Sequence, residues 1–552
     1  DLDTNASGVE LLKVDPLYRC FFEDGTEFDI PTNLQEMRST IYKLLEEEEP
    51  FSPTPSDNQA QEKSSRKKKD HEEDTDTKPL HLYKQLEKYL SISSDFLAFG
   101  LPAVIEERPD WSLLPAFLGA CFRSFPLLTH DSMLRSLFPN NPKIRAMLSF
   151  QDLYVGLAPQ DAPAIFSLLQ ALEFGEGIYY PRGGFGTVAR SLTRIAKANG
   201  VDVRLGTRVV GLETDSDSRL QLRRVILDPN SSPASCRHSA SITDHFGDTP
   251  PDVRTYSEED EDEDEDEEVG LLPAAASVLE AERFVFNVDA PFVENEWLPA
   301  QLRDERTARG RPSCSVVSLS LGLDCRLSPL AHHSIFFSNQ FEDSWACLRK
   351  QQKHPKQQKE QRMPCSQSES ESESESAIPQ FDARAFNFYV HAPMRTDTTC
   401  CSDSGHDAIT VLVPVRPLSS TLAPPCKQEQ EALAAHVRRA VLTRLQQVPG
   451  MPEDLESHIV AEKVRTPATW QSEFSLFRGA AFGLTHALSQ LSLLRPRLRH
   501  PWLRNLYRVG ASSRPGNGVP LVMIGARLAA EAVLQDVHAE AEKSQRPKTR
   551  EL

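Results

Sequence analysis

The stretch Asn505-Leu506-Tyr507-Arg508-Val509-Gly510-Ala511-Ser512-Ser513-Arg514-Pro515-Gly516-Asn517-Gly518-Val519-Pro520 decides the fold. A short apolar run (Leu506, Tyr507, Val509) ends in Gly510, and a loop carrying Gly516 and Gly518 follows. Pro520 then opens a long apolar segment reaching Leu534, which predicts a helix. Glycines let backbone N–H groups approach a ligand with no Cβ in the way, and a helix start offers unpaired donors to an anion. An ordinary strand–helix connection needs one turn glycine. Three glycines, two prolines and a helix start in eleven residues point to a cofactor loop.

Working outward, Val188, Leu192 and Ile195 recur at helical spacing, Gly200 ends that helix, and Val201 to Leu205 alternates as a strand. Gly184-Phe185-Gly186-Thr187-Val188-Ala189 has the spacing of a dinucleotide fingerprint. Pro181 interrupts the run before it, however, and the next suitable acid, Glu213, lies beyond a second strand, so the match is set aside. Arg223 to Leu227 reads as a strand expected to pair with Phe284 to Val288. Nearer the start, Leu11 to Phe28 predicts short strands around an Asp24-Gly25 turn, and Asn33 to Glu49 a helix capped by Thr32 or Asn33. Leu80 to Phe150 is apolar and helix-rich.

A chain of 552 residues exceeds one ordinary core, so two or more lobes are expected. The net charge of −19 is local: Glu258 to Glu268 are eleven consecutive acids, and the Ser-Glu repeat Ser368 to Ser376 adds four, leaving a body near neutrality. One basic cluster, Arg66 to Lys69, sits beside Asp70, Glu72 and Glu73, which is no nucleic-acid footprint. Ten cysteines show no Cys-x-x-Cys spacing, which argues against a metal site and a disulfide framework and for a reducing compartment. The longest apolar runs, Leu113 to Leu128 and Val519 to Leu534, are broken by Arg123 and Arg527, and neither reads as a membrane span. His391, His486 and His500 are isolated and read as structural. A proton acceptor would need a carboxyl raised in pKa by apolar surroundings; Asp110, beside Trp111, and Asp161, in Gln160-Asp161-Ala162-Pro163, are candidates, with a helix or turn cap as the competing role for each.

The stretch Gly510 to Pro520 resembles the C-terminal signature of the bacterial and fungal type of phytoene desaturase, a family of FAD-dependent, amine-oxidase-like flavoproteins. Thr466-Pro467-Ala468-Thr469-Trp470, Phe477 to His486 followed by Arg495-Pro496, Asn387 to Pro393, Ala408 to Val415, Gln160 to Gln170 and Tyr180-Pro181-Arg182-Gly183-Gly184 are similar to further family motifs, in family order along most of the chain. Ser513, Arg514 and Asn517 depart from the usual Thr, His and Thr, and Arg508 sits in a strand that is apolar elsewhere in the family.

The resemblance implies an α/β, two-lobed flavoprotein: a Rossmann-like FAD-binding lobe and an interleaved α+β substrate lobe. Family members open with a strand–Gly-x-Gly-x-x-Gly–helix unit; none precedes Leu11, so the N-terminal fingerprint is expected to be missing. On this reading 1–49, 79–176, 301–349 and 378–500 belong to the substrate lobe, and 177–227, 277–300 and 501–540 to the FAD lobe. Residues 50–78, 228–276 and 350–377 are hydrophilic inserts. FAD contacts are expected from Val209, Gly510, Ala511, Gly516, Gly518, Val519 and Pro520, and no metal is expected. Arg182 lies at the lobe crossover, beside the flavin ring or as a cap. The implied activity is stepwise desaturation of phytoene toward lycopene-type carotenoids, with a quinone, oxygen or NAD(P) reoxidising the flavin. A non-catalytic, polyene-binding or complex-stabilising remnant is the alternative. Expected partners are the apolar polyene, a membrane surface contacted peripherally inside the cell, and a second copy or other carotenoid enzymes.

Overall fold

The computed structural model describes residues 8–33, 36–40, 77–105, 129–214, 221–228, 278–346, 348, 381–401, 403, 405–419, 425–491 and 494–545. In chain order, β1 (Leu11–Val14), β2 (Tyr18–Phe22) and β3 (Glu27–Ile30) precede the helices α1 (Thr77–Ile105), α2 (His130–Leu137), α3 (Pro142–Ser149) and α4 (Leu168–Glu176). Then come β4 (Ile178–Pro181), α5 (Phe185–Ala198), β5 (Val209–Thr214), β6 (Leu222–Leu227), β7 (Val278–Glu280) and β8 (Phe284–Phe286). The strands β9 (Ser315–Leu323), β10 (His333–Phe337), β11 (Phe388–His391) and β12 (Asp407–Val415) lead to α6 (Lys427–Gln446), β13 (Ile459–Arg465) and α7 (Pro467–Phe474). The chain closes with β14 (Leu506–Arg508) and α8 (Val519–Gln545).

One lobe is built on a seven-stranded sheet in the order β13-β9-β12-β11-β10-β2-β3, antiparallel except where β10 runs parallel to β2. The period-2 alternation of its strands sends side chains to two cores. Cys20, Phe22, Ile335 and Phe337 join the core shared with α1, α2 and α3, while Phe21, Phe336 and Phe388 stack in the opposite core beneath α6. Val437, Val441 and Leu445, at a spacing of four, give α6 the apolar stripe that covers that face. The Asp24-Gly25 turn forms as expected, because β2 and β3 pair locally from Tyr18↔Ile30 to Phe21↔Glu27 and Gly25 takes a φ of +86°.

The other lobe holds a three-stranded antiparallel sheet, β5-β6-β7, and the parallel pair β14-β8. A shared apolar cluster of Leu222, Val225, Phe284, Val293, Leu503 and Leu506 joins them. Asn505 adds a polar link: its Oδ1 accepts from the Leu222 N–H at 2.9 Å, and its Nδ2 donates to the carbonyls of Leu222 and Glu282.

Two strand expectations are corrected here. Val201 to Leu205 is irregular, and Val201 and Leu205 are exposed; among the described residues no strand lies beside this run, so alternation alone does not make a ladder. Arg223 to Leu227 pairs with β5 and with β7 at Arg224↔Glu280 and Ile226↔Val278, not with Phe284 to Val288. Phe284 to Phe286 goes instead to β14, a partner more than two hundred residues away that local pattern does not reveal. The apolar run Leu113 to Leu128 lies outside the described residues, as do the inserts' acidic runs and most of the helix expected from Asn33.

Candidate cofactor-binding site

The loop between β14 and α8 is held from below by one side chain. Arg495 is wholly buried, and its guanidinium donates to the carbonyls of Leu484 (2.9 Å), Thr485 (3.1 Å), Ala511 (2.5 Å) and Ser513 (3.2 Å). The five donors of a guanidinium suit such convergent acceptors. Burial with no carboxylate in direct contact lowers its pKa to about 9. Asp289 supplies the second tie, accepting from the Ser512 hydroxyl and, at 2.9 Å, from the Phe477 N–H. Burial raises the Asp289 pKa against those two bonds.

Three further features shape the loop. Gly510 has a φ of +98°, and a Cβ there would stand 2.7 Å from Asn287 Oδ1. Gly516 packs on the His486 ring, where a Cβ would meet Nε2 at 2.5 Å. Asn517 Nδ2 donates to the Tyr154 carbonyl at 2.5 Å, fastening the loop to the helical layer of the other lobe. Gly518 differs: at a φ of +93° its added Cβ would meet no heavy atom within 4 Å. Its carbonyl accepts the Val522 N–H at 2.9 Å, so α8 starts here with Pro520 in its first turn and the N–H groups of Val519 and Leu521 without helical acceptors. Bare backbone bordering open space, at a helix start, fits the anionic diphosphate of a dinucleotide cofactor. Buried polar atoms without a protein partner at the same loop, Ser513 Oγ and both His486 ring nitrogens, fit a polar ligand there as well.

Where β4 meets the seven-stranded sheet, aromatic and imidazole rings gather. Tyr180, on β4, packs against the rings of His332 (4.8 Å) and His391 (5.4 Å), whose Nε2 atoms are 3.2 Å apart. His333 Nδ1 lies 2.5 Å from the Tyr389 hydroxyl. Burial drives His332 down to about 3 and His391 to about 4, and depresses His333 as well, so all three rings are neutral at neutral pH. Across from them, the Glu173 carboxyl on α4 accepts from Tyr18 Oη at 2.7 Å and Gln151 Nε2 at 3.0 Å. Burial raises its pKa to about 7, against the lowering effect of those two bonds.

Of the sequence-predicted residues, Gly510, Ala511, Gly516, Gly518, Val519 and Pro520 come together in this one loop and helix start. Val209 opens β5 opposite Leu227 and packs on the cluster that contains Leu506, on the β-sheet side of the same lobe. Asp110 lies outside the described residues. Asp161 is half-buried in a turn with an oxygen 3.5 Å from Arg311 Nη2, and its N–H bonds the Ala158 carbonyl. Arg182 is exposed in a two-bond ion pair with Glu10, at 2.6 and 3.0 Å. Arg508 owes its place in a strand to a buried cluster: Nη1 lies 3.0 Å from Glu294 Oε1, Nη2 lies 3.1 Å from Asp304 Oδ2, and His500 Nε2 is 3.3 Å from Glu294. His391 is not isolated, as expected from sequence, but one of three neighbouring imidazoles. Sequence reading did not single out Glu173; its only signal is a carboxyl three residues after Gln170, between the apolar Leu172 and Phe174.

Residues 6–230 match the family model described as flavin containing amine oxidoreductase. A phytoene desaturase of Fusarium fujikuroi is 25% identical over 97% of this chain and 78% of its own length. A zeta-carotene-forming phytoene desaturase of Myxococcus xanthus is 27% identical over 76% of this chain and 65% of its own. Among solved structures, an oxidoreductase from Methanosarcina mazei superposes with a TM-score of 0.47 at 10% identity, covering 95% of this chain and 82% of that one. With a glycine loop at a helix start and relatives aligned along nearly its whole length, the chain is similar to the flavin-containing amine oxidoreductases over residues 6–230 and to carotenoid desaturases beyond that range.

Proposed function

We propose that the protein is a FAD-dependent oxidoreductase of the carotenoid desaturase type, which removes hydrogen stepwise from an apolar polyene such as phytoene. The observation that carries this reading is the loop Gly510 to Pro520, with open space at Gly518 and its buried Arg495 clamp, in a chain whose relatives bear desaturase names. Gly510, Ala511, Gly516, Gly518, Val519 and Pro520 would hold the cofactor by backbone contacts, with Val209 contributing from β5. A flavin held there supplies a hydride acceptor, which no protein side chain offers. The chain's own part is to orient the polyene and exclude water. Tyr154, Tyr180 and Tyr389 and the neutral imidazoles of His332, His333 and His391 give an uncharged wall suited to a substrate without polar handles.

Such a substrate resides in lipid, and peripheral contact with a membrane follows as part of the proposal. No described helix is long and apolar enough to cross one. The test is to supply the purified protein with FAD and phytoene in liposomes, under each of quinone, oxygen and NAD(P) as acceptor. Chromatography should resolve more desaturated, coloured products; phytoene returned unchanged under all three acceptors would refute the reading.

A further inference from the structure

We infer that Glu173 takes up the proton released in the desaturation, with Tyr18 and Tyr154 as the hydroxyl relay beside it; this rests on the function proposed above. Each dehydrogenation breaks two C–H bonds. One hydrogen leaves with its electron pair, as hydride, to the flavin acceptor. The electron pair of the neighbouring C–H bond becomes the second bond of the new C=C, and that hydrogen leaves as a proton, which needs a base.

Glu173 has the placement such a base requires. The residue is half-buried, and each carboxyl oxygen is fixed by one donor, Tyr18 Oη at 2.7 Å and Gln151 Nε2 at 3.0 Å. The residue lines a small internal cavity together with apolar Leu17, Ile30, Met147 and Phe174. Gln170 lines the same cavity, and its Oε1 is buried without a protein partner. The Tyr18 hydroxyl stands 3.4 Å from that of Tyr154, whose backbone carbonyl receives the Asn517 side chain of the glycine loop. A continuous set of contacts therefore joins the carboxyl to the cofactor loop.

The other candidates fit less well. His332 and His391, with pKa values of about 3 and 4, are weak bases at neutral pH. Asp161, 3.5 Å from Arg311, stands outside this set of contacts. Around Glu173 stand the phenols of Tyr18 on β2, Tyr89 on α1, Tyr154 after α3 and Tyr389 on β11, all held neutral by burial, and behind them His333 and the buried His130–Asp152 pair. With its pKa raised to about 7, Glu173 is matched to accept and later release a proton near neutral pH.

The test compares wild type, Glu173→Gln and Tyr18→Phe, each checked for melting temperature and flavin absorbance. Infrared difference spectra of the protein alone should show a protonated-carboxyl band that titrates near neutral pH, is absent in Glu173→Gln and shifts to higher pH in Tyr18→Phe. In turnover, Glu173→Gln should lose roughly a hundredfold or more in kcat. Wild-type kcat should rise with pH along a limb that this variant lacks. Product formation by Glu173→Gln within threefold of wild type, or with the acid limb intact, overturns the role of Glu173 alone. A wild type that shows the titrating band and leaves phytoene unchanged overturns the proposed function, and this role with it.

Discussion

Asn517 Nδ2 and the Tyr154 carbonyl lie 2.5 Å apart, linking two positions separated by 363 residues of chain. The bond sets the glycine loop of one lobe against the helical layer of the other. It leaves the next residue, Gly518, facing open space.

Replacing Gly518 by Val therefore tests the loop as a cofactor seat. Within the protein the new side chain meets nothing, so the fold bears only the strain of a φ of +93°, roughly 1–2 kcal/mol. The expected result is a folded protein, a few degrees lower in melting temperature, without bound flavin absorbance. A Gly518→Val protein that retains its yellow colour would remove this loop from the site.

The Arg508–Glu294 pair is predicted to matter for stability far more than a surface pair would. Both side chains are closed to solvent, and Glu294 also meets His500. Arg508→Met strands the Glu294 carboxylate in the interior, at a cost of about 3–5 kcal/mol. The double change Arg508→Met with Glu294→Leu should recover part of that loss, because it removes the stranded charge. Thermal unfolding of the two variants decides it: equal melting temperatures would mean that the pair is not coupled.

Glu173 also makes stability depend on pH, with a definite sign. Its pKa of about 7 in the folded state exceeds the ordinary 4.5, so the folded protein holds a proton that the unfolded chain has released. Stability from this group is full below about pH 4.5, falls as pH rises through about 7, and is level above. The total is about 3 kcal/mol at most, from ~1.4 kcal/mol per unit. Asp152 and Asp289, also raised by burial, tilt the curve in the same direction, so the check is the difference between wild type and Glu173→Gln across that window. A difference that does not change with pH would contradict the raised value.

Local signals were the ones the sequence made legible. The Asp24-Gly25 hairpin and the strand–loop–helix form of the run from Leu506 to Pro520 are set by turn residues and apolar spacing within about fifteen positions, and both shapes are the ones expected. The pairing of Phe284 to Phe286 with Leu506 to Arg508 was not legible, because a parallel pair leaves no turn between its strands. Arg508 looked out of place in an apolar strand because Glu294, Asp304 and His500, which accommodate it, are scattered in sequence. Arg495 and Glu173 show the same limit. A buried arginine bonded to five backbone carbonyls, or a glutamate pushed toward neutrality by its surroundings, is written in no short motif.

The long acidic connections should be dispensable for turnover. β6 and β7 pair antiparallel from Arg224↔Glu280 to Ile226↔Val278, so everything between Leu227 and Val278 joins the ends of neighbouring strands. A hairpin needs only about two to five residues for that task. The second insert likewise spans from Leu348 to Phe381, which opens the approach to β11. Closing a loop costs free energy that grows with the logarithm of its length, so halving one changes stability by only about 0.6 kcal/mol. Deleting residues 248–270 and 353–375 should therefore leave flavin content unchanged, raise the melting temperature slightly if at all, and keep carotenoid colour in a phytoene-producing host within about twofold of wild type. The acidic run Glu258 to Glu268 and the four glutamates of the Ser-Glu repeat go with those deletions, which remove eighteen acidic and five basic residues from a protein of net −19. Loss of colour at normal protein level and normal flavin content would assign those charges a part in substrate delivery or reoxidation.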